Sequence, residues 1–179
     1  MGERTIDLNL TLANMKRLYV LRHAKSSWDD SSLADFDRPL NERGKEAAPF
    51  MGNVMRERGY MPDVVLASPA KRAKKTAKLA TKAARFDGEI TFVEQIYEAS
   101  PQTLAKVLSG VDDSANSAMI VGHNPGMEGV IRFLTGESEA MPTAGLAVID
   151  LDIKKWSDID HQTGKLVEVL RPKEIGHLT

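Results

Sequence analysis

The sequence predicts an α/β fold, a three-layer sandwich in which a mainly parallel central sheet of about six strands carries helices on both faces. Three observations lead there. Short apolar runs rich in Val and Ile alternate with helix-like segments along the chain, as parallel strands joined by crossover helices require. Several of those runs are continuous rather than alternating, the pattern of strands buried on both sides. The chain has 179 residues, 42% apolar and 27% charged, enough for one full core. No repeat or low-complexity linker divides it.

The strands are expected at 16–21 (KRLYVL), 63–68 (DVVLAS), 90–94 (ITFVE), 118–122 (AMIVG), 145–151 (GLAVIDL) and 165–170 (KLVEVL). Helical patterns lie between them at roughly 41–58, 69–85, 101–109 and 125–135. The segment DIKKWSDIDHQTG joins the last two strands without a convincing helix, which predicts an antiparallel hairpin at that end. Residues 1–14 have two readings, a loosely ordered extension or the product of a start codon assigned too early, and 15–179 form the single domain.

Two helix starts can be read residue by residue. Asn41 caps the first, whose apolar stripe is Ala47, Phe50, Met51 and Val54, and Pro49 inside it removes one backbone donor. Ser68 is expected to cap the second, with Pro69 at a position where a missing N–H costs nothing. On that second helix Lys71, Lys74, Lys75, Lys78, Lys82 and Arg85 fall in one stripe opposite Ala73, Thr76, Ala77, Ala80 and Ala84. The stripe reads first as a solvated face and second as a dock for an acidic partner.

Composition narrows the function classes. With 24 basic and 25 acidic residues the net charge is −1, so there is no global attraction to nucleic acid or to an anionic membrane. The lack of cysteine removes disulfides, thiolate zinc sites and cysteine nucleophiles, and fits a reducing cytoplasm. No apolar run approaches the length of a membrane span. No H-E-x-x-H, G-x-S-x-G or Walker sequence is present, which argues against a metallophosphatase, a serine hydrolase and a nucleoside triphosphatase.

The informative residues sit at strand ends. Arg22 and His23 close the first strand, and His123 closes the fourth within VGHNPG, where Pro125 suits the first position of the next helix. Arg72 lies in the first turn of the second helix, at the border of its two faces. The helix dipole there disfavours a cation by roughly 0.3–1 kcal/mol unless an anion is present. Ligand sites in open α/β sheets form outside the carboxyl ends of the strands. The topology therefore delivers Arg22, His23, Arg72 and His123 to one edge, a constellation suited to a multiply charged anion. Each alone has a plainer reading as a solvated or structural side chain; convergence is what favours the site. His161 and His177 are assigned no role, Trp156 is read as core, and Trp28 is left open between site rim and core.

This constellation resembles the histidine phosphatase superfamily, the fold family that includes phosphoglycerate mutases, and within it the SixA-like phosphohistidine phosphatases. LRHAKSSW looks like the family's Arg-His-Gly motif with Ala24 in place of glycine. SPAKRAKKTA is similar to its Ser-Pro-x-x-Arg-x-x-x-Thr-Ala segment, VGHNPG to its second histidine motif, and RPLNERGKEAA to the segment leading into its first helix. The likeness spans roughly residues 16–172.

The resemblance implies that His23 is phosphorylated during turnover and then hydrolysed, with no cofactor and no metal. It implies that Arg22, Arg72 and His123 surround the phosphoryl oxygens, and Asn124 is grouped with them as a phosphate ligand. Glu98, after the third strand, is the first choice for the proton donor, and Asp29 is the other carboxylate to follow. Asp29 stands where relatives often carry an asparagine, so it would need protonation or pairing, with Lys25 or Arg38, beside a phosphate. Short segments between strands predict an open site, which favours a phosphorylated protein, such as a histidine phosphotransfer domain, over an enclosed small phosphoester. Alternatives are a broad small-molecule phosphomonoesterase, a mutase, or a non-catalytic phosphoprotein-binding module. No nucleic acid or membrane partner is expected.

Overall fold

Alternate residues of the first strand serve two different cores. In β1 (Lys16–Arg22), Leu18 and Val20 pack into one apolar cluster while Tyr19 and Leu21 pack into another, as the two-residue period of a strand dictates. The computed structural model describes residues 15–176. The expectations for residues 1–14 and for His177 lie outside the described residues.

The elements follow in chain order as β1, α1 (Glu42–Glu57), β2 (Val64–Ala67), α2 (Lys71–Ala84), β3 (Ile90–Phe92), α3 (Pro101–Leu108), β4 (Ser117–Gly122), α4 (Gly126–Thr135), β5 (Leu146–Leu151) and β6 (Gly164–Leu170). Short 3-10 turns occur at Asp35–Asp37, Glu94–Ile96 and Trp156–Asp158. The six strands form one sheet in the order β3-β2-β4-β1-β5-β6. β1, β2, β3 and β4 pair in parallel, and β5 runs antiparallel to both β1 and β6. The fold is thus the expected sandwich with its hairpin at the β5–β6 end. On one face α3 and α4 contribute Leu104, Leu108, Met127, Val130, Ile131 and Leu134; on the other α1 and α2 contribute Met51, Met55, Ala77, Ala80 and Ala84.

Asn41 caps α1 as expected, its side chain accepting from the Gly44 amide at 2.9 Å. The second helix starts differently. Ala70 is the N-cap of α2 and makes no side-chain cap bond, so Ser68 and Pro69 both precede the helix. Ser68 Oγ accepts from the Ala70 amide at 3.2 Å, and tertiary contact rather than helix capping explains its presence, as the site shows. Pro125 likewise takes the N-cap position of α4, one residue ahead of the expected place. Trp156 is fully buried and donates its indole N–H to the Ala115 carbonyl at 2.9 Å.

The lysine stripe of α2 is exposed along its length and its alanine face is buried. Small residues on that face let α1 approach closely. A Cβ added at Gly52 would overlap the carbonyl oxygen of Ala80, so the crossing of the two helices depends on a glycine. Gly52→Ala is expected to destabilise the fold by about 1–3 kcal/mol through overpacking. Urea unfolding monitored by circular dichroism measures this as a lower midpoint at unchanged slope.

Candidate active site

Pairing register builds the site. In the parallel β1–β4 ladder Arg22 stands opposite Gly122, so the next residues, His23 and His123, leave the sheet side by side. The His23 amide donates to the Gly122 carbonyl at 2.9 Å, and the Ser68 amide, one residue beyond β2, donates to the Val121 carbonyl at 2.9 Å. The two imidazoles lie with ring centroids 5.1 Å apart and are both buried. The segment before β5 fixes the first of them from the other side, through the Ala144 amide on the His23 carbonyl at 3.1 Å.

His23 is held as a neutral ring with a defined reactive nitrogen. Its Nδ1 lies 2.7 Å from the carbonyl oxygen of its neighbour Ala24. A carbonyl only accepts, so Nδ1 carries the hydrogen and Nε2 keeps its lone pair. Burial pushes the His23 pKa down to about 4; the Ala24 carbonyl works against this, and the cations Arg72, Arg22 and Arg38 add to it. The Ala24 amide in turn accepts support from α2, donating to Thr76 Oγ1 at 2.9 Å. Thr76 Oγ1 donates back to the Arg72 carbonyl at 2.7 Å. One hydroxyl thereby ties the loop after β1 to the first turn of α2.

Arg72 is buried, with Nε donating toward His23 Nε2 at a long 3.4 Å. The anion that its place in the helix calls for is Asp35. Arg72 Nη2 donates to Asp35 Oδ2 at 2.9 Å and Nη1 to the Asp35 carbonyl. Asp35 Oδ2 also accepts from the Tyr97 hydroxyl at 2.8 Å, and Oδ1 accepts from Arg38 Nη1 at 3.0 Å. Arg38 is itself buried between Ser26 Oγ, the Ser27 carbonyl and the face of Trp28, its guanidinium carbon 3.1 Å from that ring's centroid. Burial works against ionisation of Asp35, but the hydrogen bonds from Tyr97, Arg72 and Arg38 hold its carboxyl down to about 2. Asp35 and Tyr97 escaped the sequence reading. Their one visible signal is the acidic pair three residues and one residue before Arg38 in DFDR.

His123 explains Ser68. Its Nε2 lies 2.8 Å from Ser68 Oγ, and the Tyr97 ring packs edge-on against it at 5.4 Å. Burial lowers the His123 pKa to about 3, with His23 and Arg72 adding to the shift. With the Ser68 hydroxyl assigned as donor, the hydrogen of the neutral ring sits on Nδ1, which is buried without a partner. Arg22 donates from Nη1 to the Met141 carbonyl at 2.8 Å while its buried Nε has no partner. Burial lowers the Arg22 pKa and Glu128 offsets part of that. Two buried donors without partners beside a lone-pair nitrogen are what an anion-binding pocket presents.

The remaining predicted residues are less central. Asn124 donates from Nδ2 to Glu128 Oε1 at 2.8 Å and to the Met141 carbonyl at 3.1 Å. It therefore reaches the pocket through the carbonyl that holds Arg22. Glu98 is exposed, in a left-handed backbone conformation beside Tyr97, and its carboxylate makes no hydrogen bond among the described residues. Asp29 is exposed and pairs with neither Lys25 nor Arg38; the latter is taken by Asp35. Trp28 is 76% exposed and belongs to the rim. His161 packs edge-on against Phe133 at 5.6 Å. A cavity of about 710 Å³ lies on the far side of Met141, lined in part by Lys25, Arg43, Arg171 and Lys173.

A neutral imidazole whose Nε2 carries the lone pair, set among guanidiniums, has the equipment to take a phosphoryl group onto nitrogen. The family comparison agrees with that class of chemistry. Residues 18–107 match the histidine phosphatase superfamily, branch 1. The chain is 33% identical to an uncharacterised protein of Mycobacterium tuberculosis over 158 residues, 82% of this chain and 96% of that one. Among solved structures, a provisionally assigned phosphohistidine phosphatase SixA from Agrobacterium tumefaciens is 32% identical, with TM-score 0.76 over 88% of this chain and 98% of that one. The histidine phosphatase SixA solved with tungstate shares the fold at TM-score 0.78 and 19% identity, covering 89% of this chain and 99% of that one. This chain belongs to the histidine phosphatase superfamily and is a phosphatase of that class.

Three outcomes are expected. Because protonation removes the His23 lone pair, kcat/KM should fall as the pH drops through about 4, well below the ordinary 6.5. A pH profile on an aryl phosphate, corrected for the substrate's own ionisation, measures this; an enzyme-dependent midpoint near 6.5 would refute the burial argument. The same burial makes the fold lose stability as pH falls from 6.5 toward 4, because the unfolded chain takes up protons that the folded rings refuse. Replacing Arg72 by lysine keeps the charge but loses the planar fork. It should lower kcat/KM by about 10²-fold or more with little change in melting temperature, measured by steady-state kinetics and calorimetry.

Proposed function

We propose that this phosphatase hydrolyses phosphohistidine carried on a partner protein, through a covalent phosphohistidine at His23 and without a metal ion. The observation that carries the reading is His23 itself: Nδ1 is fixed on the Ala24 carbonyl, and Nε2 keeps its lone pair with only the long 3.4 Å approach of Arg72 Nε against it. His23 Nε2 attacks phosphorus, the bond from phosphorus to the leaving group breaks, and the phosphoryl group resides on Nε2. Arg22, Arg72 and His123 donate to the oxygens on which charge accumulates. Water then attacks phosphorus, the P–N bond breaks, and the ring returns neutral because Nδ1 kept its hydrogen. Glu98 serves as proton donor where the leaving group is an oxygen.

Phosphohistidine is favoured as substrate by the likeness to the Agrobacterium tumefaciens protein over almost its whole length. The short connections between strands and the exposed rim at Trp28 fit a phosphate presented on a surface. Among the described residues no three His, Cys, Asp or Glu side chains cluster as metal ligands would, and the guanidiniums supply the charge stabilisation in this reading. No helix among the described residues is long and apolar enough to cross a membrane.

The test is phosphate release, with a chelator present, from a phosphohistidine-bearing phosphotransfer protein and from an aryl phosphate, by wild type and His23→Ala. Wild type should release phosphate from the protein substrate and the variant should lose at least about 10³-fold, the scale expected for removing a nucleophile. Turnover of the aryl phosphate alone would make the protein a small-molecule phosphomonoesterase. Binding without turnover of either would make it a phosphoprotein-binding module.

A further inference from the structure

Asp35 is the one carboxylate among the described residues that is hydrogen-bonded to any of Arg22, His23, Arg72 or His123. For a phosphoester enzyme this is an unfavourable place for a fixed negative charge, since like charges near a phosphate dianion repel. It is also not closed off. The side chain is 47% exposed, and an ionised carboxylate offers about four acceptor sites. Three are engaged: two on Oδ2, by Arg72 and Tyr97, and one on Oδ1, by Arg38. Oδ1 therefore keeps one unfilled acceptor position on a half-exposed side chain.

We infer that Asp35 is the specificity-determining residue for a nitrogen leaving group, with Oδ1 accepting the ring N–H of the substrate's phosphorylated imidazole. The inference rests on the phosphohistidine reading above. A phosphorylated imidazole bears phosphorus on one ring nitrogen and takes a proton on the other. When His23 Nε2 bonds to phosphorus, the substrate's P–N bond breaks and its electron pair returns to the ring. A ring that carries the proton departs as neutral imidazole; one that lacks it would have to leave as the anion. A carboxylate accepting that N–H favours the protonated ring, as an opposite charge does for any base. Asp35 thus does before bond cleavage what a proton donor does during it. An ester leaving group has no such N–H and meets only the repulsion.

The surroundings keep Asp35 suited to this role. Arg72, Arg38 and Tyr97 all donate to it, and the carboxyl is ionised throughout the range in which imidazole titrates. Its neighbour Tyr97 is held in place by rings on two sides, Phe36 at 5.1 Å and His123 at 5.4 Å.

The experiment compares wild type, Asp35→Asn and Asp35→Glu on a peptide bearing chemically phosphorylated histidine and on p-nitrophenyl phosphate, with inhibition by inorganic phosphate as the check that each site is folded. Asp35→Asn should lower kcat/KM on the phosphohistidine peptide at least tenfold more than on p-nitrophenyl phosphate. Asp35→Glu, which restores the charge, should recover part of the preference. Parallel changes on both substrates would overturn the inference, because a residue that only orients Arg72 or only competes with phosphate acts on both alike. A larger loss on p-nitrophenyl phosphate would also overturn it. A wild type that turns over only p-nitrophenyl phosphate would overturn the phosphohistidine reading and this inference together, whereas parallel losses from an active wild type would overturn this inference alone.

Discussion

The parallel register between β1 and β4 is the constraint on which the site depends. With Arg22 opposite Gly122, two residues that follow in separate parts of the chain, His23 and His123, emerge as neighbours. A slip of one residue would exchange the faces of β1, sending Tyr19 and Leu21 into the cluster now filled by Leu18 and Val20. The two clusters differ in composition: alanines of α2 with Met51 and Met55 of α1 accompany Tyr19 and Leu21, while Leu104, Leu108, Leu134 and Met127 of α3 and α4 accompany Leu18 and Val20. Core packing therefore specifies the register, and the register places the imidazoles.

A second consequence concerns charge. Bringing Arg22, Arg72 and Arg38 near two buried imidazoles would be costly if every group were charged, since an isolated buried cation is among the least favourable arrangements in a protein. The structure resolves this in two ways. The imidazoles stay neutral, His23 at about 4 and His123 at about 3, both chiefly through burial. The guanidiniums lean on oxygens of the chain: Arg22 on the Met141 carbonyl, Arg38 on Ser26 and Asp35, Arg72 on Asp35. Neutral imidazoles are also what nucleophilic attack requires, so electrostatic relief and reactivity have the same cause.

Much of this was legible in the sequence because it is local or periodic. The strands, the α1 cap at Asn41, the exposed lysine stripe and the antiparallel end follow from residue patterns a few positions long, and the strand-end placing of Arg22, His23 and His123 follows from the strands. What was missed lies in segments whose course is set by tertiary contact. Residues 28–38 contain only a three-residue 3-10 turn, and Asp35 meets Arg72 across 37 positions of sequence. Ser68 was read as a cap because Ser-Pro before a helix fits one; its hydroxyl instead meets His123, 55 positions away. The pairing expected between Asp29 and Arg38 fails because Asp35, three residues before Arg38, takes the same guanidinium through a turn that composition does not announce.

Phosphoryl transfer from one imidazole to another has little intrinsic direction, because the bond broken and the bond formed are of the same kind. In the proposed reaction direction comes from the hydrolysis that follows, and how each ring holds its second nitrogen governs the ease of transfer. On the enzyme side His23 Nδ1 donates to a neutral backbone carbonyl, which fixes the tautomer without drawing a further proton onto the ring, and the surrounding guanidiniums disfavour the cation. On the substrate side the proposed acceptor is the ionised Asp35. A carboxylate stabilises a protonated ring more than a carbonyl does, so in the proposed reaction more of the substrate ring carries the proton with which it departs as neutral imidazole. In the proposed mechanism the later hydrolysis relies on the same Ala24 contact, because a ring that never lost its Nδ1 hydrogen leaves phosphorus as neutral imidazole.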